Sequence, residues 1–325
     1  MRILSLAPLA GPGVERLRAL GDLEIDPWSA HVPVKLHSAD ELRARLDGVD
    51  VLIVEADHVG ADVIDGSSLR FIGVCRGDPV NVDIAAASKQ GITVVRTPGR
   101  NASAVSELAI GLMYAVLRSI VAADADIRAA RWVVDGKIAQ QRYMGRELSS
   151  LDVGLVGFGA VAREVANKAR SLAKSVNAYD PFVSAEEMRS GGVLAMTALG
   201  DVIAASDVIS VHVPKNPSTV GMIGAPELSC ARPGAILINT ARYEVVDEDA
   251  LLGALRTGRL AGAGLDHFHN EFLPADHPLV GMPNVVLTPH IGGSTIETIE
   301  HHTTTIADGL AAALSGKTPA TAVTS

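Results

Sequence analysis

The chain has 325 residues, room for two domains of ordinary size, and 48% of them are apolar, enough for two cores. A net charge of -9, from 37 acidic and 28 basic residues, excludes a broad nucleic-acid or anionic-membrane surface. With only 3% aromatics there is no stacking platform for single-stranded nucleic acid, and Cys75 and Cys230, in no metal-type spacing, read as reduced thiols of a cytoplasmic protein.

The N-terminus carries Arg2 and a short apolar run broken by Pro8, so it reads as a first strand and turn rather than a signal peptide. No apolar stretch has the length a membrane span requires. Short β-branched runs follow at Ile3–Leu6, Val51–Val54, Phe71–Val74 and Ile92–Val95. A second set runs Val153–Val156, Val176–Tyr179, Val208–Val213, Ala235–Asn239, Ala263–Leu265 and Val285–Leu287. Most are apolar on both sides of the alternation, as strands covered on two faces must be. Between them lie helix signals. Asp40-Glu41-Leu42 opens one helix; Asp247-Glu248-Asp249 opens another, which Gly258 closes. Strands alternating with helices in this way give parallel sheets.

Two long helical patterns, Ala102–Ile120 and Thr295–Leu314, follow Pro/Gly turns at Thr97-Pro98-Gly99 and Thr288–Gly293. These turns read as crossings between domains. The expected division is residues 1–98 plus 290–325 as one domain and residues 99–289 as a second, inserted one, with a cleft between them as the default site. The tail from Lys317 to Ser325 is small and polar and is expected to be loose.

Asp152–Val156 leads into Gly157-Phe158-Gly159-Ala160-Val161-Ala162, a strand followed by GxGxxA. Val161, Val165, Ala169 and Leu172 then share one helical face. Gly157 makes the tight turn, Gly159 lets backbone approach a pyrophosphate, and Ala162 lets helix and strand pack closely. The helix N-terminus offers free N–H groups to the phosphates. The next strand ends at Asp180, about 20 residues on, where a carboxylate accepts from ribose hydroxyls and repels a 2′-phosphate. NAD is therefore expected over NADP.

Five more segments occur in order: Thr97–Glu107, His212-Val213-Pro214, Asn239-Thr240-Ala241-Arg242 with Val246–Leu251, Gly264-Leu265-Asp266-His267-Phe268 with Glu271, and Pro283–Gly293 with His290. Together with the glycine turn they make the chain similar to the D-isomer-specific 2-hydroxy-acid dehydrogenases over nearly its whole length. The resemblance implies an α/β fold of two Rossmann-like domains with parallel sheets, the NAD-binding domain inserted into a flavodoxin-like substrate domain. It implies an NAD-dependent enzyme that interconverts a small 2-oxo acid and its D-2-hydroxy acid, forms a homodimer, and has no nucleic-acid or membrane partner. Arg242, Glu271 and His290 take the catalytic positions.

Each of these three sits at or just past a predicted strand end, the edge where open α/β sheets bind ligands. Guanidinium offers a bidentate fork to carboxylate, imidazole is a proton donor and acceptor near neutral pH, and a carboxylate beside an imidazole favours its charged form. The implied cofactor contacts are Gly157, Phe158, Gly159, Ala160, Val161, Asp180, His212, Val213, Pro214, Thr219, Thr240, Ala241, Arg242, Asp266, His290 and Gly292. Asp266 would accept from the nicotinamide carboxamide or from adjacent backbone. The implied substrate contacts are Arg76, Gly77, Asp78, Arg242 and His290.

Several positions depart from the family pattern. Tyr243 follows the arginine where glycine is frequent, and would narrow the pocket or shift the loop. Phe272 follows Glu271 where proline is common. Lys215 follows Pro214 and is expected near the cofactor. The loop Cys75–Asp83 is shorter than the family's glycine-rich loop, and its Arg76 either holds a second acidic group or pairs with Asp78. His267, His269, Glu271 and His277 could be drawn as a metal site, but a loop holds many polar residues without a ligand, and no metal is expected. Two alternatives stand beside the enzyme: an NAD(H)-sensing corepressor of the same fold, and a relative acting on formate or phosphite. Glyoxylate, hydroxypyruvate, a 3-phosphoglycerate-like acid and a sugar acid all remain open as substrates.

Overall fold

The structure is a computed structural model that describes residues 1–323. The chain divides into two compact units: Met1–Asn101 with the segment from Thr295 onward, and Ala102–Ser294 between them. The divisions fall at Asn101/Ala102 and Ser294/Thr295, three and five residues beyond the expected boundaries at 98/99 and 289/290.

The first unit holds five parallel strands: β1 (Arg2–Ser5), β2 (Asp22–Ile25), β3 (Val51–Val54), β4 (Phe71–Val74) and β5 (Thr93–Arg96). Their order is β2-β1-β3-β4-β5, the flavodoxin-like arrangement. Every side chain of β3 and β4 is buried, because helices cover both faces. The helix Ala39–Arg45 starts on a capping box: Glu41 N–H donates to the Ser38 hydroxyl, and the Ser38 N–H donates to the Glu41 carboxylate. The last helix, Ile296–Leu314, is capped by Thr295 and lays Ile306, Ala307 and Leu310 on the sheet. At Gly73 a Cβ would sit 2.7 Å from Ile306, so the close helix–strand contact requires glycine there.

The C-terminal tail departs from expectation. Ala322 bridges antiparallel to Val95, Arg96 N–H donates to Thr321 O at 3.1 Å, and Val323 N–H to Val94 O at 2.8 Å. The tail thus satisfies the open edge of β5, which would otherwise present unpaired backbone. Residues 324 and 325 of the expected loose tail lie outside the described ones.

A short antiparallel hairpin, β6 (Val133–Val134) with β7 (Lys137–Ile138), precedes the second sheet. That sheet has seven parallel strands: β8 (Asp152–Val156), β9 (Ser175–Tyr179), β10 (Leu194–Ala195), β11 (Val208–Val211), β12 (Ala235–Asn239), β13 (Leu260–Leu265) and β14 (Val285–Leu287). The order is β10-β9-β8-β11-β12-β13-β14, doubly wound with its reversal between β8 and β11. The expected helix Ala102–Ile120 is in fact two: Ala102–Leu117 and Ile120–Arg128, bent by 63°. Ser119 adopts a left-handed conformation (φ 51°), and the Leu117 carbonyl accepts from Arg146 N–H rather than continuing the helix. Among the described residues no single helix is long and apolar enough to cross a membrane.

A buried histidine ties the first unit together. His302 is fully buried; its Nδ1 lies 2.7 Å from the Arg100 guanidinium and its Nε2 2.8 Å from Pro8 O. Arginine can only donate, so Nδ1 accepts, Nε2 carries the hydrogen, and the ring is neutral. Burial pushes His302 down to about 4 from its usual 6.5. Its contribution to stability is therefore fully present above pH 6.5 and is lost as pH falls toward 4. Urea unfolding at pH 7.5 and 4.5 checks this: wild type should lose more stability on acidification than His302→Gln, by on the order of 3 kcal/mol. Equal losses would refute the sign.

Candidate active site

Parallel register builds the site's floor. Val156 pairs with Tyr179 on one side and Val211 on the other; Val211 pairs with Asn239, Asn239 with Leu265, and Leu265 with Leu287. The next residue of each strand therefore emerges along one edge: Gly157, Asp180, His212, Thr240, Asp266 and Thr288. Val208–Val213 was expected to be strand throughout, but β11 ends at Val211, which leaves His212 and Val213 past the edge.

At the glycine turn, Gly157 has φ 91°, and a Cβ there would meet Val213 at 2.9 Å and His212 O at 3.0 Å. Gly159 is exposed, and a Cβ there would meet nothing within 4 Å. That open space lies over the first turn of the helix Ala160–Ala169, where Ala160 is exposed and Val161 half-buried. Ala162 is fully buried against the sheet. Phe158 does not face this space. Its ring is buried under the Arg163 guanidinium, and its N–H donates to Asp180 Oδ2 at 2.8 Å. Asp180 Oδ1 accepts from Phe182 N–H. The aspartate is thus fixed both against the glycine turn and in the turn that follows it.

His212 and Thr240 each leave a buried polar atom unpartnered, Nδ1 and Oγ1 respectively. Burial holds His212 down at about 3, and its Nε2 lies 2.9 Å from the Ser210 hydroxyl. Thr219 closes the loop after Pro214 on itself: its hydroxyl donates to Pro214 O and accepts from Asn216 N–H. Lys215 is drawn to Glu244 Oε1 at 2.5 Å.

Asp266 is an internal brace. Its side chain is buried; Oδ1 accepts from the Thr288 hydroxyl (2.6 Å) and Ile291 N–H (2.9 Å), and Oδ2 from Gly292 N–H (2.9 Å). Adjacent backbone, one of the two partners expected for it, bonds both oxygens. A Cβ on Gly292 would lie 2.9 Å from Oδ2, so this brace accounts for glycine there. The Asp266 carbonyl accepts His290 N–H at 2.8 Å, and His290 is held at φ 54°.

Facing His290 is the turn His269–Glu271, with Asn270 at φ 52° and Glu271 at φ 54°. Half of the six non-glycine residues at positive φ among the described residues therefore lie at this site. Phe272 N–H closes the turn on His269 O at 3.2 Å, a bond proline cannot make. The departure from proline at Phe272 thus supports the turn that carries Glu271. Glu271 Oε1 lies 2.7 Å from His290 Nδ1. An ionised carboxylate only accepts, so Nδ1 carries the hydrogen and Nε2 is left for another partner.

Sequence reasoning missed His267 at this site. Its ring lies against His290 with centroids 3.7 Å apart and planes tilted by 52°, its side chain is only 5% exposed, and Nδ1 lies 3.8 Å from Glu271 Oε1. Burial, with the charges of His290 and Arg242, pushes it down to about 4. The signal was present: a polar side chain directly after Asp266, two steps past β13. Asn239 was passed over as a clamp. Its amide donates to Arg242 O and its side-chain oxygen accepts Ala241 N–H, fixing the turn that presents Arg242. Arg242 is exposed and bonds only to Ala241 O, with no carboxylate partner among the described residues.

Tyr243 does not stand open to narrow a pocket. It is buried in the core, packs on Phe268, and donates to Glu248 Oε2 at 2.9 Å. Burial pushes its phenol well above the usual range. His269 and His277 belong elsewhere, beside Glu244 and Glu248. In the first unit, Arg76 and Asp78 are exposed just past β4, and no ion pair joins them. Arg76 has no side-chain partner among the described residues. Gly77 O accepts from Arg96, and Asn81 is spent on the Asp57 and Glu55 carbonyls.

The family profile for the D-isomer specific 2-hydroxyacid dehydrogenase NAD-binding domain matches residues 110–292. YoaD of Bacillus subtilis, which carries a 2-hydroxyacid dehydrogenase name, is 36% identical over 94% of this chain and 88% of its own. D-3-phosphoglycerate dehydrogenase of Archaeoglobus fulgidus is also 36% identical, over 91% of this chain, but the match spans only 54% of that enzyme. The TT0316 protein of Thermus thermophilus is similar in structure, with a TM-score of 0.84 and 32% identity over the full length of both chains.

Proposed function

The chain belongs to the D-isomer specific 2-hydroxyacid dehydrogenase family, and from that premise we propose that it interconverts a small 2-oxo acid and its D-2-hydroxy acid through Arg242, Glu271 and His290. NAD is the cofactor of the matched domain. The residues fit it: open space at Gly159 for a phosphate, an anchored Asp180 at the ribose position, and unpartnered polar atoms on His212 and Thr240 beside the strand edge. When bound, the nicotinamide supplies or takes up the hydride.

The chain's own residues do the rest. Arg242 holds the substrate carboxylate and polarises the carbonyl, since its guanidinium has no carboxylate partner among the described residues and its turn is clamped by Asn239. His290 donates from Nε2 to the oxygen that becomes the alcohol, and takes the proton back in the oxidative direction. Glu271 holds Nδ1–H, orienting the ring and balancing its charge. The observation that carries this reading is the 2.7 Å contact between Glu271 and His290, held by two residues at positive φ. A sensor that only binds dinucleotide has no use for so strained a proton-transfer pair.

Arg76 is the proposed second cation for the substrate, with Gly77 and Asp78 beside it past β4. The reading includes a homodimer, supported by exposed apolar side chains at Ile120, Val121, Trp132 and Val133. A panel of 2-oxo acids with NADH and NADPH tests the whole. Turnover should prefer NADH, and Asp180→Ala should narrow that preference about 10- to 100-fold by removing the repulsion of a 2′-phosphate. Arg76→Ala should raise KM most for acids with a second anionic group. Tight NADH binding without oxidation by any acid would turn the reading toward a sensor.

A further inference from the structure

We propose that His267, Glu271 and His290 form a binding site for a divalent transition-metal ion of the zinc class, and that metal bound there stops turnover. The regulatory half rests on the role of His290 above; metal binding does not. The three side chains bring one ligand atom each to within 4.8 Å of one another. A tetrahedral zinc with ligands at about 2.0–2.2 Å places its donors roughly 3.3 Å apart. The two measured separations, 2.7 Å from Glu271 Oε1 to His290 Nδ1 and 3.8 Å to His267 Nδ1, bracket that spacing.

His267 gives the independent sign of a ligand. Its side chain is 95% buried, and its Nδ1 has no hydrogen-bond partner although it faces Glu271. A buried nitrogen left unpaired is unfavourable, and a metal would satisfy it. Glu271 and His290 are about half exposed, which gives an ion an entry path and lets both side chains adjust. Two imidazoles and one carboxylate suit zinc and leave a fourth position open, whereas magnesium and calcium take all-oxygen sets. His269 and His277 take no part, being paired with Glu244 and Glu248.

Binding at His290 Nδ1 displaces the hydrogen held there, to Nε2 from a neutral ring or to solvent from an imidazolium, and breaks the bond to Glu271. The ring then loses its counter-charge and its freedom to cycle a proton, so turnover stops while the metal stays. Removing the metal restores both.

Zinc titration of the full chain against a chromophoric chelator tests the site without any turnover. Wild type should take up one equivalent, His267→Leu and Glu271→Gln should each bind at least about tenfold more weakly, and His269→Ala should match wild type. Magnesium should not compete. Glu271 lies on an exposed turn, so its variant keeps the test decisive should His267→Leu fold poorly. Zinc should also block NADH oxidation, with activity restored by EDTA. Unchanged zinc affinity in Glu271→Gln, or no stoichiometric uptake by wild type, overturns the site. Normal uptake in a chain that oxidises NADH with no acid leaves the site standing and removes only its regulatory meaning.

Discussion

Arg242→Ala is expected to lower kcat/KM for any 2-oxo acid by about 10²- to 10³-fold, equivalent to roughly 3–4 kcal/mol of transition-state stabilisation. NADH affinity should hold within a fewfold. The size follows from what the guanidinium does: two parallel bonds to a carboxylate fix the acid, and the same cation favours the charge that grows on the carbonyl oxygen. Its turn is built without it, because Asn239 clamps Ala241 and Arg242 through the backbone. Removing the side chain therefore leaves the scaffold in place. Arg242→Lys should recover little, since a point charge cannot reproduce the fork. Stopped-flow with excess NADH separates the two effects; a variant losing cofactor affinity as steeply as turnover would move Arg242 out of the substrate site.

The strands most legible in the sequence were those whose two faces are both covered. β3, β4, β8, β11 and β12 are buried at every position, and their continuous apolar runs announced them. β2 escaped because it is an edge strand, Asp-Leu-Glu-Ile, with exposed acids. β10 escaped because two residues carry no pattern. The bend at Ser119 was hidden by uninterrupted helix-compatible composition on both sides; only the distant Arg146, taking the Leu117 carbonyl, reveals it.

At the site, the residues one step past the strand ends were legible because parallel register lines them up. Partners were not. Whether Asp266 meets ligand or backbone depends on where Ile291 and Gly292 turn. Tyr243 looked like a pocket residue until Glu248 drew its hydroxyl into the core. Lys215 was expected near the cofactor, but nothing in the sequence showed that it pairs with Glu244. His267 was the largest omission. Its place directly after Asp266 was a signal, but nothing in a loop holding three histidines shows which of them is buried against His290.

His290→Ala should cost turnover about 10²- to 10⁴-fold in both directions, the range for loss of a positioned general acid–base. NADH binding should remain, because the loop's backbone is held by Asp266 and not by the imidazole. Glu271→Gln should fall between this variant and wild type. An amide keeps a hydrogen-bond acceptor for Nδ1–H but supplies no charge to match an imidazolium, so orientation survives and electrostatic support does not. The ordering of the two variants distinguishes a proton-transfer pair from two loop residues that merely touch. Were Glu271→Gln as damaging as His290→Ala, the glutamate would be acting on the substrate directly. Were His290→Ala nearly as active as wild type, the proton would reach the alcohol by another route and the proposed mechanism would fail. The strained backbone predicts one further outcome in the same variants: relieved of the 2.7 Å contact, the turn at Asn270 and Glu271 has less to hold its positive φ. Amide exchange at Glu271 and Phe272 should therefore quicken in His290→Ala while exchange in β13 stays slow.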